Sequence, residues 1–446
     1  MTYALDRRLS PHLLLWMLIA ACAEPTLAVT VSVDPTVSEA PMRHRANGYL
    51  VSFEPESPSE ELVRPLRPTS FRGSAGYVLR NYDRLRRLGV DEFQLTLGLV
   101  FSDVASSIFN INRIGKDDDY APWIAHVHRV IDEVQARHLT VLWDIYNEPD
   151  LAATPIARND RLKKGWQLAY EIIKQRFPDA IIVGPSVAYY DTLRPFLEWS
   201  RDHGVFPDVI AYHEYGDPAD ALSYLDDLRQ FLMENKLKHP ISVNEILGRE
   251  FWTIPGYIAS VLAVYERAGI LSAMHACWPD PHDTSRYGQE NTCENPTLDG
   301  LLFVDRENKR PGWHIYKAYA DMMGYRVSTM TDSRATHALA AVDPATRTLR
   351  ILIGRYGEPS TDATTVVVKN LSGAAFLDGV RRIHVRAERI SDVGSGPLET
   401  LPQAMETDIG LEGEQETQFV LPDFGRMDAY HIVIHSADMP REWAPR

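Results

Sequence analysis

The sequence of 446 residues is poor in cysteine, with only three, and it contains no Cys, His, Asp or Glu pattern with the spacing of a metal site. No Gly-rich phosphate-binding loop follows any of the predicted strands, which argues against a nucleotide-binding protein. The sequence therefore predicts neither a metal ion nor a cofactor.

Basic residues are also fewer than acidic ones. The chain has 46 Lys and Arg against 61 Asp and Glu, a formal net charge of -15, and no dense basic stripe. This balance argues against nucleic acid or an anionic membrane surface as a partner. An uncharged or basic ligand fits the overall charge better.

The N-terminus has the features of an export signal. Two arginines precede the apolar run Leu13–Cys22, which is too short to span a bilayer comfortably and is followed by small residues. Residues 1–28 are predicted to be a signal peptide cleaved after Ala23 or Ala28. Alternatively, Ile19–Cys22 resembles a lipobox, and Cys22 would then carry a lipid anchor; an uncleaved anchor is a third alternative. Each alternative predicts an exported protein, which is periplasmic, secreted or a membrane-anchored lipoprotein.

With Cys22 removed or modified, Cys277 and Cys293 remain. In an oxidising compartment an isolated pair of cysteines is expected to form a disulfide. The alternative is two unrelated buried thiols.

Residues 45–325 alternate apolar strand-like runs with amphipathic helical stretches, the pattern of a parallel α/β fold. The predicted strands are Gly48–Phe53, Pro68–Arg72, Phe93–Leu97, Thr140–Ile145, Ala180–Val183, Asp208–Tyr212, Pro240–Val243 and Leu271–Ala276. Eight such units close a (β/α)8 TIM barrel, and right-handed crossovers leave few alternatives. The chief rival is an open doubly wound sheet.

Residues 326–446 change character, because strand-length runs follow one another without helical patterns between them. The predicted strands here are Leu349–Ile353, Thr364–Val368, Ile383–Ile390, Thr417–Leu421 and Ala429–Ile434. They predict a C-terminal antiparallel β-sandwich. The segment 29–44 is predicted to be a linker with an early strand, Val29–Val33, that joins this sandwich.

Two glutamates stand at the ends of buried-type strands, Glu148 in the run Asp144–Pro149 and Glu245 in Val243–Glu245. Active sites of TIM barrels lie at the C-terminal ends of the strands, where both glutamates are predicted to be. Glycoside hydrolysis needs two such carboxyl groups, one as a proton donor and one that attacks or stabilises the sugar cation.

The segment Trp143–Asp150 resembles the strand-four motif of clan A glycoside hydrolases, in which the glutamate of Asn-Glu-Pro is the acid/base. The closest similarity is to glycoside hydrolase family 39, the group of β-xylosidases, α-iduronidases and exopolysaccharide hydrolases. Further matches follow in the family's order over about residues 46–323. They are Val183–Ser186, His213–Tyr215, Glu245, Trp278, Gly300–Leu302 and Lys309–Pro311. Two departures leave subfamily and substrate open: the context of Glu245 lacks the family's common Thr-Glu pair, and Glu214 adds a carboxyl group.

This resemblance implies a retaining hydrolase that acts on O-glycosidic bonds of an oligo- or polysaccharide, with Glu148 as acid/base and Glu245 as nucleophile. The residues implied to bind substrate or to support the nucleophile are Asn147, His213, Tyr215, Arg72 and Trp278. Arg67 is the alternative to Arg72 if the second strand is displaced. Trp278 is expected to form the floor of the sugar site through a cis peptide bond to Pro279.

Aromatic residues crowd the loops predicted at the same end of the barrel and would suit a cleft for an oligosaccharide. They are Phe101, Tyr120, Tyr189, Tyr190, Phe251, Trp252 and Tyr287. Three alternative functions stay open: a carbohydrate-binding protein with an inactive barrel, a surface-anchored adhesion module, and a transglycosidase. The sequence does not reveal the oligomeric state.

Overall fold

The computed structural model describes residues 29–100, 108–283, 292–293, 295–357, 363–411 and 416–438. The predicted export signal, with Cys22, lies outside these ranges, as do Phe101 and Tyr287. None of the described helices is long and apolar enough to cross a membrane.

Eight parallel strands close into a barrel, so the predicted TIM-barrel fold is confirmed. The strands are β2 (Gly48–Tyr49), β3 (Ser70–Ser74), β4 (Glu92–Leu99), β6 (Leu142–Asn147), β7 (Ile182–Val187), β8 (Val209–Glu214), β9 (Ile241–Ile246) and β10 (Ser272–His275). Neighbours pair in the order β3-β2-β10-β9-β8-β7-β6-β4, and the pairing of β3 with β4 closes the ring. A short strand, β5 (Phe109–Asn110), was not predicted; it pairs with the end of β4.

In the part of the chain that the structure describes, eight α-helices follow the strands and form the outer layer. They are α1 (Glu60–Val63), α2 (Ala75–Leu88), α3 (Ala121–Ala136), α4 (Asp160–Arg176), α5 (Leu193–Asp202), α6 (Pro218–Glu234), α7 (Pro255–Ala268) and α8 (Pro311–Ala320). In α3 the residues Trp123, Val127, Val130 and Val134 recur at helical spacing and are all buried. Every strand of the barrel is buried along most of its length, because helices cover the outside and side chains fill the inside.

The described residues of the second domain form a nine-stranded sheet. Its strands are β1 (Val29–Pro41), β11 (Tyr325–Thr331), β12 (Thr336–Asp343), β13 (Thr348–Arg355), β14 (Thr364–Lys369), β15 (Arg382–Ile390), β16 (Gln403–Gly410), β17 (Glu416–Leu421) and β18 (Ala429–Ser436). The order is β16-β15-β18-β13-β12-β11-β1-β14-β17, and the pairings are antiparallel except that of β1 with β14. The two ends of the sheet share one hydrophobic core, in which Val31 and Val366 join Ile383 and Ile432. The sheet therefore bends over itself as a sandwich.

Helix α7 joins the barrel to this sheet. Gly256 at its start donates its backbone N–H to the carbonyl of Met427 at 2.8 Å. A Cβ atom at Gly256 would collide with the carbonyl oxygen of Arg355, and one at Gly354 would collide with the carbonyl oxygen of Gly256. The backbones of the two domains thus touch directly, which fixes the sheet against the barrel.

Candidate active site

A pocket of about 460 Å³ opens at the C-terminal ends of the barrel strands, within the usual size range of a ligand site. It is lined by Leu50, Val51, Arg72, Gly73, Ser74, Thr96, Leu99, Ile108, Asn147, Glu148, Tyr215, Glu245, Arg249, Cys277, Trp278, Pro279 and Cys293. His213 is buried beneath it, in contact with both glutamates. The structure thus brings every sequence-predicted site residue to this pocket or its floor.

Arg72, at the middle of β3, connects three strands. Its guanidinium donates to Asp144 at 2.8 Å from Nε, to Glu245 at 2.8 Å from Nη1 and to Asn147 at 2.6 Å from Nη2. The buried cation is therefore paired with two carboxylates, as an arginine inside a protein must be. Arg67, the alternative, lies away from the site and donates to the carbonyl of Ala320.

Glu245, at the end of β9, accepts a bond on each carboxylate oxygen. Arg72 reaches Oε1, and the hydroxyl of Tyr215 donates to Oε2 at 2.7 Å. Burial alone would raise the pKa of Glu245, but the charges of His213 and Arg72 and the hydrogen bonds from Tyr215 and Arg72 outweigh it, so this pKa lies below its ordinary value. Burial and the two nearby glutamates raise the pKa of Tyr215, which keeps the phenol protonated as a donor.

Glu148 lies opposite, one residue beyond β6, and its side chain is 15 % exposed to the pocket. Nδ1 of His213 is 3.2 Å from Glu148 Oε1 and 3.0 Å from the Tyr215 hydroxyl, and Nε2 is 3.6 Å from Glu245 Oε1. One ligand-type atom from each of Glu148, His213 and Glu245 lies within 4.8 Å of the others. The two carboxyl groups therefore face each other across a short gap.

Among the described residues, these three side chains also form the group whose carboxylate and imidazole atoms lie close enough together to hold a metal ion. Two features weigh against a cation there. The guanidinium of Arg72 sits 2.8 Å from Glu245 and would repel a second positive charge, and both oxygens of Glu245 already accept hydrogen bonds. The arrangement suits a carboxylate pair better than a metal centre.

Three strand ends around the pocket have left-handed backbones. The φ angles are 51° at Glu148, 54° at Ser186 and 71° at Leu247. Residues other than glycine rarely adopt this region, and such strain concentrates at functional sites. The backbone N–H of Glu148 donates to the carbonyl of Ser186 at 2.9 Å, which holds two of these turns together.

Trp278 lies beyond β10 and packs edge-on against Tyr215, with ring centroids 5.1 Å apart. Its indole N–H donates to the carbonyl of Leu247 at 2.6 Å. The peptide bond to Pro279 is trans, so the predicted cis bond is wrong. Among the described residues, cis bonds occur at Ser57–Pro58 and, within strand β7, at Gly184–Pro185. Hydrogen bonds to Leu247 and to the loop after β10, rather than an unusual peptide bond, hold the Trp278 ring.

The loop after β10 is fastened at both sides of Trp278. Cys277 and Cys293 form a disulfide with Cα atoms 5.1 Å apart. The backbone N–H of Trp278 donates to the hydroxyl of Thr292, and the backbone N–H of Thr292 donates to the carbonyl of Trp278, both at 2.8 Å. Farther along, Asp280 pairs with the buried Arg310 at 2.7 Å. Arg310 also donates to the carbonyl of Ser395 in the second domain, at 2.7 Å. The sandwich therefore helps to hold an active-site loop.

The aromatic residues predicted to line the cleft do not line the pocket where the structure describes them, and the pocket's described rings are Tyr215 and Trp278. Phe101 and Tyr287 lie outside the described residues. Tyr190 stacks on Tyr224 of helix α6 with ring centroids 4.4 Å apart, and Trp252 is buried against Gly300. Tyr120, Tyr189 and Phe251 also lie outside the pocket lining.

Two residues of the site were not assigned roles from the sequence. Asp144 is fully buried and accepts from Arg72, Thr96 and Ser186. A charged residue inside an apolar strand is a usable signal, because a buried carboxylate needs partners. Arg249 lines the pocket four residues after Glu245, and nothing in its sequence context distinguishes it from a surface arginine.

No family model matches the sequence. A 3-O-alpha-D-galactosyl-alpha-L-arabinofuranosidase of Bifidobacterium longum subsp. longum is 24 % identical over 217 residues. That alignment covers 46 % of this chain and only 17 % of the relative's length.

Solved structures match over nearly the whole chain. A protein of Neocallimastix frontalis has a TM-score of 0.76 at 22 % identity, covering 92 % of this chain and 100 % of its own. A glycoside hydrolase family 39 enzyme of Xanthomonas axonopodis pv. citri has a TM-score of 0.67 at 12 % identity, covering 94 % and 100 %. A monomeric β-xylosidase of Caulobacter crescentus has a TM-score of 0.65 at 14 % identity, covering 92 % and 99 %. The resemblance to family 39 inferred from the sequence is thus confirmed at the level of the fold.

Proposed function

We propose that this protein is a retaining glycoside hydrolase acting on O-glycosidic bonds of an oligo- or polysaccharide. The observation that carries the proposal is the gap between the two glutamates, whose nearest oxygens lie within 4.8 Å of each other. Retaining enzymes hold their carboxyl groups about 5–5.5 Å apart, whereas inverting enzymes need about 6.5–9.5 Å for an intervening water. The fold shared with a family 39 enzyme and a β-xylosidase supports the same reaction class.

Glu245 suits the nucleophile's part because its surroundings favour the ionised form. Its carboxylate would attack the anomeric carbon and form a glycosyl ester while the glycosidic C–O bond breaks. Arg72 and Tyr215 hold both oxygens, which fixes the direction of attack. Asn147, held by Arg72, lines the pocket where a sugar 2-hydroxyl would lie.

Glu148 suits the acid/base. In the first step it would give its proton to the departing glycosidic oxygen. In the second it would take a proton from water, whose oxygen attacks the anomeric carbon and releases Glu245. Its exposure to the pocket gives the water access, and His213 holds it in place.

We further propose that the protein works outside the cytoplasm. The signal-like N-terminus motivates this, and the disulfide of Cys277 and Cys293 beside the pocket supports it, because such bonds persist in oxidising compartments. Mass spectrometry of the mature protein would reveal the cleavage site and any lipid on Cys22.

The function is tested with purified wild-type protein and a panel of aryl glycosides and oligosaccharides. We expect turnover of at least one O-glycoside, with the first-formed anomer of the same configuration as the substrate when read by proton NMR before mutarotation. First-formed product of opposite configuration would contradict the retaining mechanism. A folded protein that hydrolyses no glycoside would contradict the function itself.

Replacing Tyr215 by phenylalanine removes one donor from Glu245. The pKa of Glu245 should then rise, because the ionised form loses a hydrogen bond. We expect the acidic limb of the kcat/KM–pH profile to move to higher pH, and the plateau to fall about 10- to 100-fold, the usual worth of a bond to a charged group. The exposed Tyr325 of the second domain supplies the control Tyr325→Phe, which should leave the profile unchanged. An unmoved acidic limb in Tyr215→Phe would contradict this role.

A further inference from the structure

The candidate active site contains a second arginine that the proposed chemistry does not use. Arg249 lines the pocket together with both glutamates and is solvent-exposed. Within the part of the chain that the structure describes, it has no hydrogen bond or ion pair. The charge of Arg72, by contrast, is taken up by Asp144 and Glu245. Among the described residues that line the pocket, Arg249 is therefore the cation that is free for a ligand.

The backbone that carries Arg249 is fixed to the floor of the pocket. Leu247 has a φ of 71°, and its carbonyl accepts the indole N–H of Trp278 at 2.6 Å. Gly248 runs so close to Tyr215 that a Cβ atom would collide with the Tyr215 carbonyl oxygen, so only glycine fits. The carbonyl of Gly248 then accepts the N–H of Phe251 at 2.9 Å, which closes the turn. The base of the Arg249 side chain is thus held beside two pocket-lining rings.

The charges around the pocket make Arg249 relevant to the kind of substrate that can bind. Glu245 and the buried Asp144 carry two negative charges beside the single positive charge of Arg72, in a protein of net charge -15. This surplus would repel an anionic substrate, and Arg249 offsets it. A guanidinium also presents a fork of donors that matches the two oxygens of a carboxylate or a sulfate.

We propose that the substrate is a glycan with an anionic group next to the scissile bond, either the carboxylate of a uronosyl unit or a sulfate ester, and that Arg249 binds this group. The inference rests on the proposed hydrolase function and narrows its substrate class. It replaces the expectation of an uncharged or basic ligand, which considered only the charge of the whole chain.

The test compares acidic polysaccharides with their own neutralised forms. Uronate-containing polymers are compared before and after carboxyl reduction, and sulfated polymers before and after desulfation, with new reducing ends as the readout. The proteins are wild type, Arg249→Gln, Arg249→Lys and the control Arg334→Gln, whose exposed arginine lies in the second domain.

We expect wild type and Arg334→Gln to prefer one acidic form over its neutralised counterpart by about tenfold or more, the usual worth of a charged hydrogen bond. Arg249→Gln should lose the preference and Arg249→Lys should keep part of it. Added salt should weaken the preference in wild type and in Arg334→Gln alike, because both keep Arg249. Loss on carboxyl reduction identifies a uronosyl group, and loss on desulfation identifies a sulfate.

Equal or faster cleavage of the neutral forms by wild type, or an undiminished preference in Arg249→Gln, would overturn the inference while leaving the hydrolase function intact. No cleavage of any polymer or aryl glycoside by folded wild-type protein would instead overturn the hydrolase function, and the inference with it.

Discussion

Replacing Glu245 by alanine should lower kcat/KM by at least about 10⁴-fold, because the attacking group held beside the anomeric carbon is lost. The variant should still fold. Arg72 keeps its bonds to Asp144 and Asn147, so the buried cation does not lose all its partners. Steady-state hydrolysis of an aryl glycoside measures the loss, and circular dichroism checks the fold.

Added azide should restore part of the activity of Glu245→Ala, because the small anion fits the space left by the carboxylate. It would attack from the face that Glu245 occupied, so the glycosyl azide should have the configuration opposite to that of the substrate. The matched control is Glu171→Ala on the surface of helix α4, which should behave as wild type. Wild-type activity in Glu245→Ala, or a rescued product of retained configuration, would rule out Glu245 as the nucleophile.

Replacing Glu148 by alanine should slow hydrolysis of substrates with poor leaving groups by about 10²–10⁴-fold, the usual contribution of a general acid–base group. Dinitrophenyl glycosides need no protonation of the leaving group, so their first step should remain fast. The second step should be slow, because no base activates water, and a burst of released phenol should precede slow turnover.

Azide should accelerate this second step without needing a base. Because it would attack the ester on Glu245, the glycosyl azide from Glu148→Ala should keep the configuration of the substrate. The two variants thus predict opposite anomers from one reagent. Equal slowing of good and poor leaving groups, with no burst, would contradict the acid/base assignment of Glu148.

The barrel was predictable because its strands are buried on both faces and read as continuous apolar runs between helical patterns. The observed strand β6, Leu142–Asn147, overlaps the predicted Thr140–Ile145, and the observed β9, Ile241–Ile246, overlaps the predicted Pro240–Val243. The ends of these two strands were predicted two and three residues too early. Even so, Glu148 follows β6 and Glu245 closes β9, so both lie at the mouth of the barrel.

The second domain was harder to predict because several of its strands lack that signal. Strand β16, Gln403–Gly410, is an edge strand with exposed and half-buried residues, so no apolar run marks it. Strand β12, Thr336–Asp343, is rich in alanine, which is depleted in strands. Both strands were missed, as was β11, Tyr325–Thr331, whereas the valine-rich Thr364–Lys369 was recognised.

Within the site, the identities of the residues and the support of Glu245 by Tyr215 and Arg72 were predictable, whereas the other contacts were not. The sequence placed Arg72 near Glu245 but could not show that its guanidinium also pairs with Asp144 and Asn147, since these bonds cross three strands. Arg249 was missed because its position depends on a turn that packs against Tyr215 and Trp278. Contacts of this kind join residues that are distant in the sequence, so they become visible only in the folded structure.

The central claim is that Glu245 bonds to the sugar during the reaction, and the mass of the enzyme during turnover tests it most directly. A fluorinated substrate that slows the second step should add the mass of one glycosyl unit, and the label should lie on the peptide that contains Glu245. A label on another residue, or turnover that never gives an adduct and releases a product of opposite configuration, would contradict the account.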